Sequence, residues 1–308
     1  MLEPSPPAIT SEPFSDDPTA RGTMPSGRTL VAPIETGIEG DITWDALARE
    51  DADLAAWCAA RALGASTAPP PLPPTEQLVR TRLSLHALAE HVLCAARHRV
   101  NGKIGLRFTR GGFGTPFFGA DEQVRIEGTT LIVSASTRET RADLTTLGAA
   151  ASAAGITAGA PDLFEPTTPL DLDRPLELDG GAVAVFGWWF GSTTAVLAQV
   201  RADPESSAAP NPPSLLQIWP EHFDLSVDLG DAAAGGRANY GASPGDAVHP
   251  EPYLYVGPWD TSRLQQPTDP FWNESFGASR PYSALADRAG AREAALAFFR
   301  AGRARLLA

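Results

Sequence analysis

The run "QIWPEHFDLSVDLG", Gln217 to Gly230, alternates with a period of two. Read as one strand, it puts Trp219, Glu221, Phe223, Leu225, Val227 and Leu229 on one face and His222, Asp224, Ser226 and Asp228 on the other. The mostly apolar face reads as core and the polar face as open, which is the pattern of an antiparallel sheet covered on one side.

The flanking segments extend that sheet. A glycine-bearing loop, "GDAAAGG", returns the chain into "RANYGAS", which brings Arg237 and Asn239 within reach of the polar face. "SPGD", Ser243 to Asp246, has the Pro-Gly centre of a type II turn. After His249 and Glu251, "YLYVG" places Tyr253 and Tyr255 on one side and Leu254 and Val256 on the other. Aromatic loops, "GPWD" and "PFWNESFG", lead to the helix "AREAALAFFRAGRARLL", whose Ala294, Leu296, Phe298 and Phe299 can close the core.

Upstream the period changes to that of a helix from Thr75 to about Arg99, with Leu78, Leu85, Leu88 and Val92 on one face and Asn101-Gly102 as the stop. Thr75 reads as its cap. His91 and His98 fall on the opposite, solvated face and His86 on the flank. From Lys103 the short runs "IGLRF", "TPFF", "QVRIE" and "TLIVSAS" predict an antiparallel meander. Gly111, Gly112, Gly114 and Gly119 read as hairpin glycines, because no helix opens after them and the phosphate-loop lysine is missing. "LTTLGAAASAAGI", Leu144 to Ile156, predicts a small-residue helix under the sheet, followed by a Pro-rich connector from Pro161 to Pro175.

Gly181 to Val200 carries no charge, is long enough to span a bilayer, and holds Gly187 and Gly191 at a spacing used between membrane helices. Its tryptophans, Trp188 and Trp189, are central instead of interfacial, which favours a buried helix of a soluble protein. The N-terminal residues 1–28, rich in Pro, Ser, Thr and Asp, predict a flexible arm with neither the basic start nor the apolar stretch of a secretory signal, so a cytoplasmic location is expected. Thr43 to Leu63 reads as a helix and "APPPLPP", Ala68 to Pro74, as a stiff connector. Together these readings give an α+β fold, with antiparallel sheets packed against helices, in a single domain over residues 29–308.

The 308 residues carry 37 acids and 24 bases, a formal charge of -13. Such a balance argues against nucleic acid or an anionic membrane surface as partner. Cys58 and Cys94 lack the spacing of a metal knuckle or redox pair and read as reduced core thiols. No Gly-x-Ser-x-Gly elbow is present, and no motif names a cofactor or a reaction.

The segments "LQIWPEHFDL", "RANYGASPGD", "HPEPYLYVGPW" and "FWNESFGA" resemble a family of uncharacterised proteins from high-GC bacteria, over roughly Thr29 to the C-terminus. More distantly the chain is similar to a family of domains of unknown function with the same order of helix, strands, "FDL" strand and terminal helix. The resemblance implies one folded unit and no particular activity.

Three readings of the polar face stay open. It can be the wet side of a sheet on which Arg237 balances Asp228. It can line a cleft in which His222, Asp224, Arg237, Asn239, Asp246, Tyr253, Tyr255 and Trp259 hold a polar small molecule, with Trp219 and Trp272 as further walls. Or His222-x-Asp224 can supply an imidazole and a carboxylate to a metal or acid-base site, with His249 as third ligand and Glu251 or Asp246 in support. A ligand-binding protein or enzyme with its site on the 217–230 strand is thus set against a structural or protein-interaction module. Concavity decides between cleft and open surface, and convergence of a third ligand decides for a metal.

Overall fold

The computed structural model describes residues 69–307 apart from 120–121, 136–137, 208–209, 266–268 and 286–289; before residue 69 it describes only residues 34, 35, 49, 52, 65 and 66. The expected arm over 1–28 therefore lies outside the described residues, as does the expected helix over 43–63 except for Arg49 and Ala52. Two short strands, β1 (Ile34–Glu35) and β2 (Ala65–Ser66), pair in parallel.

Pro74 stands at the cap position of helix α1 (Thr75–Leu88), so Thr75 is the first helical residue and no side chain caps the end. A proline here sacrifices no helical hydrogen bond. A π-helical turn, Ala89–Leu93, joins α1 to α2 (Cys94–Asn101), and Gly102 closes the helix in the left-handed conformation at φ 71°. The expected stripe of Leu78, Leu85, Leu88 and Val92 is buried. His91 is buried too, contrary to the solvated face expected from an uninterrupted 3.6 period. The wide turn adds a residue and rotates the following positions. The segment around Thr168 then covers His91, whose Nε2 lies 2.9 Å from the Thr168 carbonyl.

Strands β3 (Arg107–Thr109), β4 (Gly112–Gly114), β5 (Glu122–Glu127), β6 (Thr130–Ala135) and β7 (Arg138–Asp143) form an antiparallel meander, paired in that order. Its strands differ from the expected ones: "TPFF" is not a strand, β7 is additional, and Gly112 and Gly114, expected in a turn, form β4, where a Cβ at either would collide with Ile126 or Arg125 of β5. Phe113, Ile126 and Leu131 follow one another across it and face inward. Helix α3 (Leu147–Ala153), capped by the Thr146 hydroxyl, lies against β6 and β7.

The uncharged segment becomes helix α4 (Gly180–Ala202), opened by the Asp179 carboxylate, which accepts from the Ala182 N–H at 2.9 Å. Its length and composition suffice to cross a membrane, yet 78% of its most apolar window is buried inside the fold. Gly187 permits the closest approach: a Cβ there would stand 2.9 Å from the carbonyl carbon of Gly111 in the β3–β4 turn. Gly187 thus serves helix-on-sheet packing within the chain.

The opening stretch differs from its one-strand reading. It forms a hairpin, β8 (Gln217–Trp219) and β9 (Asp224–Leu229), closed by a turn over 220–223 in which the Phe223 N–H donates to the Trp219 carbonyl at 2.7 Å. Phe223 has φ 52°, rare for a bulky residue. Its ring packs among Phe113, Phe190 and His86, so burial offsets a backbone cost of about 1–2 kcal/mol. Strands β10 (Ala238–Ser243), β11 (Tyr253–Pro258) and β12 (Ala278–Pro281) complete the second antiparallel sheet in the order β12-β11-β10-β9-β8.

Reciprocal hydrogen bonds of 2.8 Å between Leu106 and Ile218 join the two sheets edge to edge. Helix α4 packs on β3 and β4 of one and on β9 and β10 of the other. The C-terminal helix α5 (Ala291–Leu307) buries Leu296, Phe298 and Phe299 and packs on α4 and β11. Arg300 and Arg303 both grip the Asp203 carboxylate, at 2.9–3.0 Å, just beyond the end of α4. The buried apolar residues form one continuous core.

Candidate functional site

Because β9 begins at Asp224, the period of two holds from there on. Leu225, Val227 and Leu229 enter the core, and Asp224, Ser226 and Asp228 face outward. Residues opposite one another on paired strands share a face, so Trp219, paired with Asp224, joins the polar side. This revises the expected faces: Trp219 is not core, and Glu221 and His222 both sit on the turn.

The outward face is concave. A cleft of about 360 Å³ has Glu221, Asp224 and Asp228 as its acids, Trp219, Tyr255 and Trp259 as its aromatic walls, and His222, Asn239, Ser214 and Ser226 between them. That volume lies within the range of small-molecule sites. Trp259 is 57% exposed and forms the rim, its indole N–H donating to Asn239 Oδ1 at 2.6 Å.

Asp224 is the deepest acid. The Tyr255 ring crosses the intervening strand towards it, and its hydroxyl donates to Oδ2, while Oδ1 has no hydrogen-bond partner. Glycine at 241 makes the crossing possible, since a Cβ there would fall inside the Tyr255 ring. Burial raises the Asp224 carboxyl above the ordinary carboxylate range, and Tyr255 and His222 only partly oppose it. Burial likewise raises Glu221, helped by the charges of Asp224 and Glu90, and Glu221 Oε2 also lacks a partner. Asp228 is raised by burial against the pull of Arg237.

Beneath the turn lies a second polar group. Glu90, fully buried in the π-helical turn, accepts from the Thr167 N–H at 2.7 Å, the Thr168 N–H at 3.0 Å and both threonine hydroxyls. His86 Nε2 stands 3.3 Å from Glu90 Oε1 and donates to the Pro220 carbonyl at 2.9 Å. Burial alone would raise the Glu90 carboxyl; His86 and the threonine donors outweigh it and hold it at about 2. His86 also stacks on Phe223 at 5.2 Å. The helix thereby fixes the turn that carries Glu221 and His222.

Of the residues singled out in the sequence, His222, Asp224, Asn239, Tyr255 and Trp259 meet in this cleft. Arg237 lies behind it, its guanidinium 5.1 Å from the Trp259 ring centre and hydrogen-bonded to the carbonyls of Pro212 and Gly230. Asp246 and Tyr253 are elsewhere. Asp246 Oδ1 accepts from the N–H groups of Val248 and His249 at 2.7 Å, and Tyr253 donates to Oδ2 at 2.7 Å, so both lock the β10–β11 turn. His249 stays at that turn, 3.0 Å from Glu274, and Glu251 binds Ser283. The triad of His222, Asp224 and His249 therefore does not assemble, and among the described residues no three His, Cys, Asp or Glu side chains gather as a metal site. Trp272 packs on Phe271 at the core margin. Cys94 is buried and unpaired by any disulfide, its thiol pushed well up by burial.

Glu221 and Trp219 are the cleft residues that the one-strand reading had assigned to the core. The Pro220 within an otherwise alternating run was the signal for a turn. No family model, curated protein or solved structure matches the chain.

Proposed function

We propose that the protein binds a polar small molecule in the cleft between Trp219, Asp224, Tyr255 and Trp259. The observation that carries the reading is Asp224 Oδ1, an acceptor without a partner on a residue only 8% exposed that lines a cavity of ligand size. An unsatisfied buried polar atom costs about 1–3 kcal/mol, so a fold that keeps one in a concave site is complemented by whatever donates to it. Aromatic walls support the reading, as they supply area around a few fixed polar groups. The acidic charge of the whole chain supports a ligand that is not a polyanion.

The test is a melting screen of polar metabolites against the wild type and Asp224→Asn. A ligand of the cleft raises the wild-type melting temperature and leaves that of the variant in place. If every stabilising compound acts equally on both proteins, the cleft is not the binding site.

A further inference from the structure

The composition of the cleft constrains its ligand further. Ionised carboxylates only accept hydrogen bonds, so Asp224 Oδ1 and Glu221 Oε2 both await donors. Three acids line the cleft, and no Lys or Arg is among its described lining residues. Arg237, behind Trp259, directs its hydrogen bonds at the carbonyls of Pro212 and Gly230 and its charge acts on Asp228, which leaves Asp224 and Glu221 as the acids to which it gives no hydrogen bond. The acids are spread along the turn and β9, and no three of them converge as a bare metal ion requires. The walls include Trp219, Tyr255 and Trp259, aromatic rings of the kind that attract cations within about 6 Å of the ring centre, as the Trp259 ring already does Arg237 at 5.1 Å.

We infer that the ligand is a small organic cation with N–H donors, an alkylammonium or guanidinium group, its charged head against Asp224 and Glu221 and its carbon chain along Trp219 and Trp259. This rests on the small-molecule reading of the cleft and adds the sign of the ligand's charge. An ammonium brings several N–H donors to the Asp224 and Glu221 carboxylates and offsets the charge that makes their ionisation costly when buried. A neutral polyol meets the hydrogen-bonding need without relieving the charge. The raised positions of Glu221, Asp224 and Asp228 agree, since each reports a carboxylate whose burial is not yet compensated.

Titration calorimetry of the full chain at pH 7.5 and fixed ionic strength, with butylammonium, 1-butanol and glucose as separate probes, isolates the charge. Butylammonium is expected to bind at one site roughly tenfold or more tighter than 1-butanol, as a charge-assisted hydrogen bond requires. Asp224→Asn and Glu221→Gln should each bring it down to the level of the alcohol, with Glu221→Gln as the variant of choice if Asp224→Asn folds poorly. Equal binding of butylammonium and 1-butanol, or preference for glucose, with dependence on Asp224 in either case, overturns the cationic assignment and leaves the cleft as a neutral-ligand site. Silence from all three probes beside an Asp224-dependent neutral hit in the melting screen has the same meaning. Silence in both experiments overturns the cleft reading together with the inference.

Discussion

The Tyr255 hydroxyl reaches the Asp224 carboxylate only because residue 241, on the strand between them, has no side chain. Gly241→Ala forces the ring off its path, and overpacking of this kind costs about 1–3 kcal/mol. Tyr255→Phe keeps the ring in place and removes the donor, which leaves both oxygens of the Asp224 carboxylate without a hydrogen bond. Denaturant titration should show both variants destabilised. A Gly241→Ala protein as stable as the wild type would mean that the ring does not lie across the strand.

The raised Asp224 carboxyl makes stability depend on pH in a definite direction. Between the ordinary carboxylate range and its raised folded value, the folded chain holds a proton that the unfolded chain releases. Stability therefore falls as pH rises through that window. Glu221 and Asp228 act in the same sense. Asp224→Asn should melt above the wild type at pH 8, with the gap closing towards pH 4. Parallel melting curves for the two proteins over that range would contradict the buried-acid assignment.

Glu90 works in the opposite sense. Its folded value of about 2 lies below the unfolded one, so its contribution is complete above the ordinary carboxylate range and is lost as pH falls through about 2. Glu90→Ala strands the Thr167 and Thr168 N–H groups and loosens His86 from the turn. Removing one partner from such a buried network costs about 3–5 kcal/mol. Acid unfolding below pH 4 should be less steep in the variant than in the wild type. A variant that unfolds in acid with the wild-type profile would remove Glu90 from the account.

The sequence showed a meander, strands β9, β10 and β11 of the second sheet and the long buried helix. It concealed the glycine strand β4 and the short edge strand β12, neither of which has an apolar alternation, and three further features. Pro220 and the left-handed Phe223 break the alternation of the 217–230 run, and a count of apolar positions passes over a turn that keeps the period. Strand β7, with Arg138, Glu139, Arg141 and Asp143, has the charged character of an exposed edge and no alternation to announce it. The inward turn of His91 depends on a π-helical turn, for which the sequence has no marker. Asp224 and Asn239 were legible as neighbours from the alternation of two successive strands, whereas nothing in the sequence separates Tyr255 and Trp259, which line the cleft, from Tyr253 and Trp272, which do not. Asp246 and Tyr253 were equally polar and aromatic, but Asp246 binds the backbone N–H groups of a turn and Tyr253 binds Asp246, which no strand alternation reveals.

Helix α4 tests the packing directly. Gly187→Ala puts a methyl 2.9 Å from the carbonyl carbon of Gly111, and backbone on both sides leaves little room to yield. A loss of about 1–3 kcal/mol is expected, against the gain that the same change gives in an exposed helix. Urea denaturation reads the sign, and a stabilised variant would place α4 farther from the β3–β4 turn.

The most direct measurement follows the indole N–H resonances of the protein by NMR while a ligand from the melting screen is added. Trp219 and Trp259 line the cleft, whereas Trp188 and Trp189 lie in the core. The account predicts saturable shifts of the Trp219 and Trp259 signals, with those of Trp188 and Trp189 unmoved and the response absent in Asp224→Asn. Shifts confined to Trp272 or to the core pair, or a response that survives in Asp224→Asn, would contradict it.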